Sequence, residues 1–383
     1  MRPVVVLRLS AAGRLLAVWE RTAELSTFAF TVHPLTARDV ARKYKLAAWL
    51  PDPVVEWSLR FVPPKQVSHI TGVRSATGAE VDGYFIACPL TARQLAEGDP
   101  NRAIAKIIEG GRAAQALGAK ILGLGAFTSI VGDAGITIAR ELDIAVTTGN
   151  SYTVATAMEA AVAAAEMLGH TPRECSVAIL GATGSIGKVA AKMLAPQVAE
   201  VVLNARTGEK LAQLAEEIGD PGCVVRTETD VAAALRGCQI VIAVTSSLET
   251  VVEPEMLAVG AVVCDVARPR DVSKRVAEMR DDVLVIEGGA VAVPGDVEFN
   301  FNFGFPPKEA YACMAETMIL ALEGKFEDYS LGRDIRIEQV QEIAALGRKH
   351  GFKLAGFRSF ERRVDAQTIQ RIRERMADAS VAT

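Results

Sequence analysis

Between residues 176 and 194 an apolar run, SVAIL, gives way to Gly181-Ala-Thr-Gly184-Ser-Ile-Gly187 and then to KVAAKML, a stretch with apolar residues at helical spacing. In such a pattern the first glycine permits a tight turn. The second removes a side chain where a phosphate must meet backbone, and the third lets helix and strand pack closely. The start of the helix adds free N–H groups and a partial positive charge. A glycine turn alone is weak evidence. Here strand, turn, helix and a further strand, EVVLN, arrive in register, as they do in the first half of a Rossmann domain.

The same alternation continues downstream. SVAILGATG, EVVLNART, QIVIAVTSS, AVVCDVARP and VLVIEGG are short apolar runs, with GKVAAKMLAPQV and GEKLAQLAEEIG the clearest helical segments between them. Strands alternating with helices predict an α/β fold with a doubly wound parallel sheet. Upstream, FAFTVH reads as a strand and SHITGVRSATGAEVDGYFIACPL as a hairpin, and a helical pattern over 101–117 is followed by the buried strand AKILGLGAF and the strand DIAVTTGN. Asn150 or Ser151 is placed to cap the alanine-rich helix that follows. The 383 residues are therefore expected to divide into an N-terminal extension (1–25), an α/β substrate domain (26–150), a Rossmann domain (151–304) and C-terminal helices (305–383) packing back on the substrate domain.

The end of the second Rossmann strand decides the cofactor. An NAD enzyme usually carries Asp or Glu there, to accept from the ribose 2′-hydroxyl. This chain has Asn204-Ala-Arg206-Thr207, with Glu209 past the turn. Loss of the carboxylate removes repulsion with a 2′-phosphate, and Arg206 can bind it by charge-assisted hydrogen bonds. NADP(H) is thus expected on Gly181, Thr183, Gly184, Ser185, Ile186, Gly187, Asn204, Arg206 and Thr207. Thr245 and Ser246 end a later strand and either face the cofactor or cap a loop. Gly288-Gly289 offers bare backbone for the nicotinamide to approach.

The net charge of −4 gives no electrostatic footprint for nucleic acid. No apolar run reaches the length of a membrane span, and Arg8 and Arg14 break up any signal-peptide core, so the chain reads as cytoplasmic. Neither the six cysteines nor the four histidines show metal-binding spacing. His33, which ends a strand, is the histidine of most interest. Among the cysteines Cys313 stands apart, early in a helix expected to start after Pro306-Pro307 and to place it in the second turn. A helix N-terminus favours a thiolate, though a buried helix cysteine is the commoner case. Phe299, Phe301, Phe303 and Phe305 alternate just upstream and either line an apolar tunnel or pack as a core strand, the latter slightly favoured.

Several blocks together, GAFTSIV (125–131), TTGNSYT (147–153), GATGSIG (181–187), EGGAV (287–291), YACMAET (311–317), LEGKFEDYSLGRD (322–334) and KHGF (349–352), give the chain a resemblance to a known family. It resembles the long-chain acyl-acyl-carrier-protein reductases best known from cyanobacteria, which make fatty aldehydes. The cysteine block and the LEG…GRD block are specific, and the likeness spans about residues 28–352; the first residues and the tail have no counterpart in it. The resemblance implies Cys313 as nucleophile and NADPH as reductant. It also implies an acyl-carrier-protein or CoA thioester as substrate and admits an aldehyde-consuming enzyme as a partner. Ser129, Thr147 and Asn150, at strand ends, are candidate oxyanion donors. The two-domain layout and the Asn-Ala-Arg-Thr turn also resemble shikimate or quinate dehydrogenases, whose chemistry has no need of Cys313. A non-catalytic NADP(H) sensor is the third reading.

Overall fold

Parallel strands need long crossovers, and the helical segments between the apolar runs supply them. The computed structural model describes residues 4–9, 15–20, 26–42, 45–267, 269–360 and 362–381. Strands β1 (Val4–Leu9) and β2 (Leu15–Glu20) form an antiparallel hairpin. Next come β3 (Ser26–Val32), β4 (Lys65–Arg74), β5 (Glu80–Ala87), β6 (Ile121–Gly123) and β7 (Ala145–Thr147). In this N-terminal sheet β3, β5, β6 and β7 run parallel, and β4 pairs with β5 as the antiparallel hairpin read from the sequence.

The second sheet is built from β8 (Ser176–Leu180), β9 (Glu200–Asn204), β10 (Val224–Glu228), β11 (Ile240–Ala243), β12 (Val262–Asp265) and β13 (Leu284–Glu287). Its order is β10-β9-β8-β11-β12-β13, all parallel. This is the doubly wound Rossmann order, with the reversal beside β8. Apolar clusters pack on both faces of the sheet. The α/β fold expected from the sequence is thus present. Strand β10 escaped the sequence reading because VVRTE lies at the edge of the sheet, and its burial pattern has no fully buried position.

After β13 the chain leaves this sheet at once. Strand β14 (Ala290–Ala292) joins a small antiparallel sheet, and β15 (Gly295–Glu298) crosses back to pair with β4. The expected boundary at residue 304 therefore falls too late. The phenylalanine stretch is not a strand either: residues 299–305 are irregular, and the rings of Phe299, Phe301 and Phe303 pack around Phe85 of β5.

Strand β16 (Glu309–Tyr311) then pairs with β14, which keeps the backbone extended to Tyr311. The helix Ala312–Glu323 consequently starts six residues after Pro306, and Cys313 sits in its first turn rather than its second. This helix lies against β3 and β6 and against the helix Asn150–Leu168. Gly123 in β6 makes the approach possible, since a Cβ there would overlap Thr317 Oγ1 and the Phe30 ring. Farther on, β17 (Lys353–Leu354) closes the small sheet on β14. The last helix, Ala366–Val381, packs on the Rossmann side, where Ile369 and Ile372 enter its core and not that of the substrate domain. Among the described residues no helix is long and apolar enough to cross a membrane.

Candidate active site

Both sheets turn their carboxyl edges toward one cavity of about 1250 Å3. From the N-terminal sheet its wall takes His33, Cys88, Gly125, Thr148 and Asn150; from the Rossmann sheet it takes Gly181, Asn204, Val244, Val266 and Gly288. This is the crevice in which α/β sheets hold their ligands.

At the Rossmann end the helix Ser185–Leu194 starts from Gly184 with no side-chain cap, so its first N–H groups are free to meet an anion. Gly181 has φ 80°, and a Cβ there would lie 2.8 Å from the Val244 carbonyl oxygen. A Cβ at Gly187 would lie 2.8 Å from Ala182 Cα, which explains why this position packs behind the turn and does not border the cavity. Gly184 has only the Gly181 carbonyl oxygen nearby, at 3.2 Å, so its face is open. Thr183, Ser185 and Ile186 border the cavity beside it. The turn therefore fits a pyrophosphate, and the fold implies a nicotinamide cofactor.

At the end of β9, Asn204 spends its amide N–H on the Glu228 carbonyl at 2.9 Å. Arg206, Thr207 and Lys210 border the cavity and are exposed, and Arg206 makes no ion pair among the described residues. Thr245 and Ser246 also border it, but the Thr245 hydroxyl donates to Asp271 at 2.5 Å and so fixes its own loop. Gly288 and Gly289 line the wall that leads to Tyr311, Ala312 and Cys313.

Cys313 is half-buried, is in no disulfide, and lies on the cavity wall. Cys88 borders the cavity too, but burial pushes its thiol up to about 12. Burial likewise raises Cys238, to about 11, and raises Cys175 and Cys223. Gly149 abuts Cys313, and the next residue, Asn150, lines the cavity with its side-chain Nδ2 buried and unpartnered. An amide donor left without an acceptor costs free energy, and a ligand oxygen would satisfy it.

The three oxyanion candidates thus separate. Asn150 has a donor to spare. Ser129 borders the cavity, but its hydroxyl donates to the Ala126 carbonyl at 2.7 Å. Thr147 does not border the cavity; it is fully buried, and its hydroxyl donates to Glu316 at 2.5 Å. Glu316 was not singled out from the sequence. Its carboxylate also accepts from Tyr152 N–H at 2.7 Å and Ser330 Oγ at 2.8 Å, which ties residues 147–152 to the helix one turn beyond Cys313. Burial pushes its pKa above the usual carboxylate range, against the pull of these donors. An acid in the middle of the apolar helix ACMAETMILALE, away from Glu323 at its end, was the available signal.

His33 lies on the wall, where burial lowers its pKa to about 4. Its Nε2 accepts from Phe127 N–H at 3.3 Å, so Nδ1 carries the proton and donates to the Pro34 carbonyl at 3.1 Å. The ring is neutral and fully engaged. Among the described residues no cluster of metal-ligating side chains is found.

Comparison with known proteins places this geometry. The sequence profile of the shikimate / quinate 5-dehydrogenase family matches residues 163–286, which is the Rossmann part. A long-chain acyl-[acyl-carrier-protein] reductase from Synechococcus elongatus is 30% identical over 332 residues, covering 83% of this chain and 94% of that protein. The chain belongs to the long-chain acyl-[acyl-carrier-protein] reductase family. A protein named aminotransferase PigE, from a Serratia strain, is 34% identical over 308 residues, and there the match spans only 35% of the relative's length. Among solved structures, L-tryptophan dehydrogenase from Nostoc punctiforme aligns over 99% of this chain and 97% of its own, at 13% identity and a TM-score of 0.38, too distant to bear on the site.

Proposed function

We propose that the protein is an NADPH-dependent reductase that converts a long-chain acyl thioester, carried by acyl carrier protein or CoA, into a fatty aldehyde. One observation carries the reading: Cys313, Asn150 (whose buried Nδ2 has no partner) and the glycine turn all border a single cavity.

The Cys313 thiolate attacks the thioester carbonyl, and the carrier thiol leaves with a proton. An acyl group remains on Cys313. First-turn placement in the helix Ala312–Glu323 stabilises the thiolate. Asn150 Nδ2 donates to the oxyanion as it develops. Bound NADPH supplies the hydride that reduces the acyl carbonyl. The resulting thiohemiacetal on Cys313 then breaks its C–S bond, releasing aldehyde and restoring the thiolate. Arg206, with Lys210 beside it, binds the 2′-phosphate that distinguishes NADPH from NADH. Phe301, Phe303 and Phe305, with Val55 and Leu59, give the cavity an apolar wall on which an acyl chain can lie.

The test is a steady-state assay. The purified protein should consume NADPH and form aldehyde with a long-chain acyl thioester, and should be inert toward shikimate and quinate. Oxidation of those alcohols with NADP+, without thioester reduction, would favour the dehydrogenase reading that the match over 163–286 suggests.

A further inference from the structure

The segment between β3 and β4 carries apolar residues on two faces. On its inner side Ala47, Val55, Leu59 and Val62 border the cavity. On its outer side Trp49, Trp57 and Phe61 stand in solvent, 87%, 61% and 67% exposed, with Val54 beside them. Helical spacing in Asp52–Leu59 produces the split, with Val55 and Leu59 on one stripe and Val54 and Trp57 on another; Val62 and Phe61, in the turn that follows, continue the two sides. The rings of Trp57 and Phe61 meet edge to face at 5.1 Å. Leu46 and Leu50 do both, lining the cavity while 81% and 47% exposed, so the cavity rim opens beside the outer stripe. A cluster of exposed apolar side chains of this kind marks an interaction surface.

Charge narrows the partner. Residues 37–65 hold six basic and three acidic side chains, within a chain of net charge −4. Arg38, Lys45 and Arg60 are exposed and make no ion pair among the described residues. Of the three acids, Glu56 is engaged by Arg93 and by Thr91, at 3.2 Å from the latter. Tryptophan beside Lys and Arg is the composition of a lipid–water interface, where rings sit at headgroup level and cations meet anionic lipids. A second copy of the chain would bring like charges together. An acidic protein would also answer the charges, but rings standing 61–87% in solvent beside cations with no ion pair among the described residues fit insertion at headgroup level.

We propose that residues 45–62 dock the protein on an anionic bilayer surface, with Trp49, Trp57 and Phe61 inserted among the headgroups and the cavity rim beside them. Docking is independent of the reaction. The direct passage of a lipophilic aldehyde into that bilayer rests on the function proposed above.

Flotation of the full-length protein with vesicles tests the docking without any turnover. The wild type should float with phosphatidylcholine–phosphatidylglycerol vesicles, about tenfold more than with phosphatidylcholine alone, and salt should release it. Trp49→Ser/Trp57→Ser/Phe61→Ser should lose that flotation while keeping its melting temperature. Arg38→Glu/Lys45→Glu/Arg60→Glu, which leaves the apolar stripe intact, should lose it as well and so decides the matter if the first variant fails to fold. Three results would overturn the proposal: a wild type that stays down with both vesicles, charge-reversed protein that still floats on anionic vesicles, or a patch that supports only self-association or carrier-protein binding.

Discussion

Gly149 and Cys313 touch backbone to backbone: a Cβ built on Gly149 would overlap Cα and Cβ of Cys313 and lie 2.8 Å from its carbonyl oxygen. Gly149 also holds φ 74°, a left-handed conformation, as the N-cap of the helix Asn150–Leu168. The start of that helix and the first turn of the helix Ala312–Glu323 are therefore fitted against each other at the site. Gly149→Ala should cost about 2–4 kcal/mol of stability, from overpacking and backbone strain together. Chemical denaturation checks this. In protein that still folds, thioester turnover should fall about 100-fold, because displacing Cys313 by about 1 Å misaligns the attack.

Asn150→Ala removes the one oxyanion candidate with an unspent donor. Turnover should drop by a factor of about 100 to 1000, the range for loss of a single oxyanion donor. The dissociation constant for NADPH, read by fluorescence, should stay unchanged, which separates this variant from one that damages the glycine turn.

Arg206→Ala should weaken NADPH about 10- to 100-fold in kcat/KM, the worth of a charge-assisted hydrogen bond of about 1.5–3 kcal/mol. The value for NADH should barely move. Equal losses with both cofactors would show that Arg206 does not read the 2′-phosphate.

His33 makes folding pH-dependent. Its folded pKa, about 4, lies below the ordinary 6.5 because burial disfavours the charged ring. As pH falls, the unfolded chain binds this proton first. The contribution is fully present above about 6.5 and is lost as pH falls from there toward about 4. Denaturation midpoints of the wild type should fall between pH 7 and pH 5, and His33→Gln should show a shallower fall.

How much of this was legible in the sequence depended on where the information lay. The Rossmann half could be read because each of five runs is mostly apolar and bounded by turn residues. Its edge strand β10 could not, since an edge strand packs one side in solvent. The glycine turn and Arg206 are local features of the sequence, and Gly181, Gly184 and Arg206 lie on the cavity wall. Relations between distant segments were not readable. Pairing of β16 with β14 moved the start of the Cys313 helix, and pairing of β15 with β4 moved the end of the Rossmann unit. Thr147 looked like a site residue because it ends a strand. Only the fold shows its hydroxyl turned away from the cavity, toward the carboxylate of Glu316, 169 positions along the chain.

The central claim is that Cys313 carries the acyl group. Intact-mass measurement after mixing the protein with a long-chain acyl-acyl-carrier-protein, in the absence of NADPH, tests it most directly. The account predicts a mass gain of one acyl group, mapped to the Cys313 peptide, absent in Cys313→Ala and discharged as aldehyde when NADPH is added. No adduct, together with a Cys313→Ala protein that still reduces the thioester, would contradict it.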